Sequence, residues 1–174
     1  MMSRYRRLAN LTRASLLVTS LATVSLPAHA QLASTCAVTT KEQIAALSER
    51  WNGALATGNP DLVASLYAND AVLLPMLSSE PRMGRQEIRA YFDEYLRRHP
   101  QRSINMRSIM VGCNVASDIG MYTFRLTGRR KGTREAVVGR YSTLYEFRDG
   151  QWLIAQQHAS TMTGAQKAGR IAAD

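Results

Sequence analysis

Tyr141, Thr143, Gln156 and His158 are the polar residues whose types and spacing point to a shared pocket. They flank Asp149-Gly150, a dipeptide favoured in two-residue hairpin turns because both positions need positive φ. With a two-residue loop, Phe147 faces Trp152, Tyr145 faces Ile154, Thr143 faces Gln156 and Tyr141 faces His158. Side chains alternate along a strand, so all eight share one side of the ribbon. That side is aromatic at the turn and polar at its far end, as a ligand pocket above a packed core requires. A core with satisfied polar groups at its rim fits the same pattern. The chemistry on offer is narrow. His158 is the candidate general base, because imidazole titrates near neutrality. Tyr141 or Arg125 is the candidate donor to an enolate. Arg125, on the preceding strand, would attract an anion. Arg140 joins the ligand-binding set only if a bulge turns it inward. No Asp or Glu falls on the inferred inner face, and Glu146 lies on the other one. A binding protein is therefore the leading reading, and an isomerase, cyclase or dehydratase the alternative.

These side chains need a frame. Thr40 to Gln43 forms a capping box. Ile44, Leu47, Trp51 and Leu55 then recur at helical spacing as far as Thr57, where Gly58-Asn59-Pro60 stops the helix. A short helix over Leu62–Tyr67 follows Asp61, with Trp51 read as a core anchor. Asp70 reads as a turn or cap residue before an apolar strand, Ala71–Met76, which Pro75 makes short or places at an edge. Gly84–Arg97 is the clearest helix, with Ile88, Tyr91, Phe92, Tyr95 and Leu96 on one stripe. A strand through Ile104–Val111 comes next, then a tight turn at Ser117–Gly120. Met121–Thr127 alternates Tyr122, Phe124 and Leu126 against Thr123, Arg125 and Thr127. The order is helix, helix, short strand, helix and four antiparallel strands, an α+β arrangement of three helices on one curved sheet.

The first thirty residues read as a signal peptide. Arg4, Arg6, Arg7 and Arg13 precede an apolar run, Ala14–Leu26, and Ala28-His29-Ala30 supplies a cleavage site. That run is well short of the ~20 residues a membrane span needs. The expected product is exported, periplasmic or secreted, with one domain over 31–163, a flexible tail over 164–174 and no membrane span. The formal charge of the chain is +9, and four of its arginines leave with the signal. The remaining excess sits in Arg129, Arg130, Lys131 and Arg134 and in Arg97, Arg98 and Arg102, read as solvated loop clusters. Stacking aromatics are missing beside them, and no nucleic-acid partner is expected. Cys36 and Cys113 form an even pair, which favours a disulfide in an oxidising compartment, with two separate thiols the other reading. His99 and His158 lack ligand spacing, so no metal is expected. No phosphate loop or dinucleotide fingerprint occurs, so no cofactor is expected either.

Trp51-Asn52, Gly58-Asn59-Pro60-Asp61, Leu66 to Pro75 (LYANDAVLLP), Ile88 to Phe92 (IRAYF), Asp118 to Phe124 (DIGMYTF) and Asp149 to Ile154 (DGQWLI) stand in one familiar order. Over roughly residues 36–162 the chain resembles exported bacterial relatives of the calcium/calmodulin-dependent kinase II association domain, also labelled SgcJ/EcaC-type or SnoaL-like. These belong to the cone-shaped barrel superfamily of nuclear transport factor two, ketosteroid isomerase and scytalone dehydratase. The resemblance implies a strongly bent, mostly antiparallel sheet on three helices, a pocket at its wide end and a homodimer or higher oligomer pairing sheet faces. Among the arginine positions that line the kinase hub's pocket, Arg125 matches one, while Thr143 and Ala159 stand at two others. His158 matches a histidine of the bacterial relatives. No kinase motifs are present. The expected function is small-molecule binding, the ligand an anionic or carbonyl compound, in a self-associating domain.

Overall fold

The computed structural model describes residues 36–128, 130 and 132–162. The segments expected to be a signal peptide and a tail, and residues 129 and 131 of the basic loop, lie outside the described residues. Helix α1, Lys41–Ala56, starts on the capping box: Gln43 N–H donates to Thr40 Oγ1 at 3.2 Å and Thr40 N–H to Gln43 Oε1 at 2.9 Å. Its buried face carries Ile44, Ser48, Trp51 and Leu55. Helix α2 covers Pro60–Ala64, earlier than Leu62–Tyr67, because Asn59 caps it and Pro60 suits the first turn, where a backbone N–H would have had no partner within the helix.

Strand β1, Tyr67–Leu74, begins where the second helix was expected to continue, so Asp70 is a strand residue paired with Arg148 at 2.5 Å. The strand stops before Pro75. It pairs in parallel with β6, Gln151–Thr161, and its other edge meets only the two-residue β2, Arg82–Met83. Helix α3, Gly84–Tyr95, tightens into a 3₁₀ turn over Leu96–Arg98 and buries Ile88, Phe92 and Tyr95. Strands β3, Gln101–Val111, β4, Val115–Thr127, and β5, Arg134–Arg148, complete the sheet in the order β2-β1-β6-β5-β4-β3. The sheet is curved, and its inner face meets the helices in a core that includes Tyr67, Phe92, Phe124 and Leu126.

The turn expected at Ser117–Gly120 is not there. The chain reverses at Gly112–Asn114, where Asn114 takes φ 57°, and Ser117–Gly120 runs through the middle of β4. Gly120 answers to a bulge rather than a turn. At Asn105 the β3–β4 register shifts, and a Cβ on Gly120 would sit 2.0 Å from the Met106 carbonyl oxygen.

The hairpin turn forms with positive φ at Asp149 and Gly150. Phe147 faces Trp152 and Tyr145 faces Ile154, as expected. The register then shifts, because Ala155 is an extra residue in β6. Leu144 faces Gln156, Thr143 faces Gln157 and Tyr141 faces Ala159. One inserted residue exchanges the faces of everything beyond it.

The disulfide joins Cys36 to Cys113 with the Cα atoms 4.8 Å apart. Ala37 N–H donates to Asn114 Oδ1 at 2.7 Å beside it. The segment ahead of α1 is thereby fixed to the β3–β4 turn. Among the described residues no helix is long and apolar enough to cross a membrane.

Candidate functional site: a tyrosine-lined cavity holding a buried arginine

The register shift decides which side chains meet. Gln156 and His158 turn to the outer face of the sheet and are exposed, and Arg125 and Arg140 are exposed there too. The arrangement expected of these four is thus corrected: they do not converge with Tyr141. Arg140 stays outside because the bulge is in β6 and leaves the β5 alternation intact. Tyr141 and Thr143 keep their inward positions, 7% and 3% exposed. Gln157 and Ala159 take the places assigned to Gln156 and His158.

A cavity of about 40 Å³ lies between α1, α3 and the inner face, with Trp51, Tyr91, Arg102, Tyr122, Tyr141 and Gln157 in its wall. At about 10–15 Å³ per water, that is room for roughly three waters. Trp51 is therefore a cavity wall as well as a core anchor.

Arg102 is the cation of this site, not a solvated loop residue. Strand β3 begins at Gln101, so Arg102 alternates inward, and its side chain is 3% exposed. One terminal nitrogen donates to the Ser48 carbonyl at 2.7 Å and to Ser48 Oγ at 3.1 Å. Its guanidinium lies over the Trp51 ring, 5.1 Å from the centroid, a placement that the ring's negative face favours. The same terminal nitrogen is 3.8 Å from Glu49 Oε1. Nε is buried and has no hydrogen-bond partner. Burial draws the guanidinium's pKa down, yet arginine starts so high that it stays charged.

Asp118, placed in a turn by the sequence pattern, is fully buried in β4. Tyr141 Oη–H donates to Asp118 Oδ1 at 2.8 Å. Arg107 Nε sits 3.3 Å from Asp118 Oδ2, near enough to pair but not aligned as a hydrogen bond. Arg107 also reaches Glu49 Oε1 at 3.2 Å. Burial holds the Asp118 carboxyl above the usual carboxylate range, against the lowering effect of Tyr141 and Arg107. Burial, with a smaller contribution from Asp118, pushes Tyr141 up to about 12. The Tyr141 hydroxyl proton is thus committed to Asp118 rather than offered to the cavity.

Gln157 is held from both ends. Its Oε1 accepts from the Tyr67 hydroxyl, whose oxygen accepts Trp51 Nε1–H at 3.0 Å, and its Nε2 donates to Thr143 Oγ1 at 3.4 Å. An amide nitrogen has two donors, and only one is used here. Among the described residues no group of three or more His, Cys, Asp or Glu is placed to hold a metal ion. The signal for the missed residues was thin. Arg102 reads as one more surface arginine until the start of β3 is known, and Asp118 as a turn aspartate beside Gly120.

The chain matches the calcium/calmodulin dependent protein kinase II association domain family over residues 40–163, and it belongs to that family. It is similar to a Xanthomonas campestris structure described as such an association domain, at 44% identity and a TM-score of 0.68. The match covers 74% of this chain and 94% of that one. An NTF2-like protein with a cystatin-like fold from Novosphingobium aromaticivorans shares 14% identity with a TM-score of 0.60, covering 76% and 88%. A nuclear transport factor 2-like superfamily protein from Salmonella enterica serovar Typhimurium shares 17% with a TM-score of 0.62, covering 74% and 96%. The last two show the fold alone: helices on a curved sheet, as in NTF2-like cone domains. None of the curated proteins matches the chain.

Proposed function

We propose that this chain is an exported, self-associating binding domain without kinase activity, whose cavity takes the acceptor end of a small molecule, a carboxylate or a carbonyl. The observation that carries the reading is Arg102. A buried cation with an unpartnered Nε beside a cavity is a costly arrangement that an incoming acceptor would relieve. Gln157, with its oxygen already occupied, supplies a second donor. Titrating the purified protein with acetate, propionate and pyruvate tests this by thermal shift. At least one should raise the melting temperature of the wild type, by about 2.7 kcal/mol of added stability at a hundredfold excess over Kd. Arg102→Met should abolish the response. No response in the wild type, or an equal one in Arg102→Met, rejects the reading.

The isomerase-type alternative keeps one support, the buried acid Asp118 under Tyr141. His158 would be its base only from the opposite face. Asp118 stands behind Tyr141 with one oxygen accepting and the other facing Arg107, so neither acid nor base is presented to the cavity. Binding remains the better reading.

Self-association rests on the outer sheet face. Met106, Met110 and Ile119 are 51%, 69% and 45% exposed there, an apolar surface that a second copy would cover. Ile119→Asp should lower the mass measured by light scattering from that of an oligomer to that of one chain. A monomeric wild type would refute the pairing.

A further inference from the structure

The cavity of about 40 Å³ and a much larger open groove of about 970 Å³ have a wall in common, made by Tyr91 and Tyr95 of α3. Of the two, Tyr95 is the fixed one: it is 8% exposed, and Phe92 and Phe124 meet it edge-on at 6.1 Å each. Tyr91 is half-buried, and the rings it touches, Phe92 and Tyr95, both belong to its own helix. Across the groove its one further ring contact is the Arg82 guanidinium, 5.7 Å from its centroid. That guanidinium is itself tethered, donating to the Pro81 carbonyl and to Ser78 Oγ at 3.2 Å each. A short loop thus holds a cation against the outside of a ring whose inside faces the cavity.

We infer that Tyr91 is the gate of the cavity and Arg82 its latch: rotation of the Tyr91 side chain joins the cavity to the groove and admits a ligand to Arg102. The role of the gate rests on the binding reading given above; its existence does not. The cavity as it stands holds roughly three waters, so any ligand bearing a carbon chain needs added volume. The groove, at about 970 Å³, offers far more room than the cavity itself. Of the other depressions beside it, one borders the cavity at Pro75 and Ala159, a ring locked into the backbone and a methyl group, neither of which can swing, and another shares Gln157, whose amide is held at both ends by Tyr67 and Thr143. Met76 is the competing door. It is flexible, but the Tyr122 hydroxyl contacts its sulfur at 3.7 Å and it packs over Gly139, where even a Cβ would lie 2.8 Å from that sulfur.

Trp51 reports on the gate, since it lines the cavity and is 6% exposed. The chain has two tryptophans, so Trp152→Phe leaves Trp51 as the sole emitter. In that background, quenching by acrylamide, a neutral solute bulkier than the three or so waters that about 40 Å³ can hold, measures opening. Tyr91→Ala and, separately, Arg82→Ala should each raise the Stern–Volmer constant about threefold or more, as easier local opening would. Met76→Ala should leave it unchanged. Arg82→Ala changes a side chain outside the core and keeps the test valid if Tyr91→Ala does not fold. Quenching that rises only in Met76→Ala, or in none of the three, overturns the gate. Quenching that rises as expected while acetate, propionate and pyruvate have no effect on the wild type leaves the gate standing and rejects the ligand reading.

Discussion

Asp118→Ala is expected to destabilise the fold by about 3 kcal/mol, the low end of the roughly 3–5 kcal/mol typical of removing one partner from a buried ion pair. Arg107 would lose the carboxylate at 3.3 Å, and the Tyr141 hydroxyl its acceptor at 2.8 Å. The low end applies because Arg107 keeps Glu49 at 3.2 Å and its side chain is 20% exposed. Urea denaturation at neutral pH measures the loss. Asp118→Asn keeps an acceptor for Tyr141 and should lose about 1 kcal/mol less. The double variant Asp118→Leu, Arg107→Met removes both charges and should recover most of the difference, since the desolvation of the pair disappears with it. A single alanine variant within the error of wild type would mean that the pair does not hold this wall of the cavity.

The same residue fixes a pH dependence. Burial raises the folded-state pKa of Asp118 above its ordinary value of 3.8, so the native state binds the proton more tightly than the unfolded chain. The part of this group's contribution that depends on its proton is complete below that ordinary value and is lost as pH rises through the folded value. Between about pH 4 and the folded value, wild-type stability should therefore fall more steeply than that of Asp118→Ala. An identical slope in the two proteins would remove the assignment.

What the sequence made legible follows the range of the forces involved. The capping box, the α3 stripe and the Asp149-Gly150 turn act within a few residues, and all appear where the pattern put them. The opposition of Phe147 to Trp152 and of Tyr145 to Ile154 followed from that turn. The pocket residues beyond Tyr145 did not, because a single inserted residue at Ala155 exchanges Gln156 and His158 for Gln157 and Ala159. Nothing in Ala155 announces a bulge; it coincides with an irregularity in the parallel pairing of β6 with β1, between Tyr67 and Val72, which is a contact from far along the chain. Asp118 was misplaced for a related reason. An Asp-Ile-Gly run suits a turn, but Gly120 is required by the Met106 carbonyl, a contact from another strand. Arg102 was hidden by arginine's usual preference for water, which the Trp51 ring and the Ser48 carbonyl override here.

Loss of the Cys36–Cys113 bond is the other large effect. Residues 77 apart in sequence close a long loop in the unfolded chain, and releasing it should lower stability by about 4 kcal/mol on the loop-entropy argument. The native state loses little directly, since the bond ties only the segment ahead of α1, and Ala37 still reaches Asn114. The destabilisation therefore acts through the unfolded ensemble, and the cavity should keep its shape. Cys36→Ser with Cys113→Ser should lower the melting temperature by about 12 °C for a domain of this size, with Trp51 emission and its acrylamide quenching unchanged below the transition. Reductant should reproduce the shift in the wild type and do nothing to the double variant. A fall of only a few degrees would show that the unfolded chain is already compact around this loop. Increased quenching of Trp51 below the transition would show that the bond braces α1 against the sheet, and the effect would then belong to the folded protein.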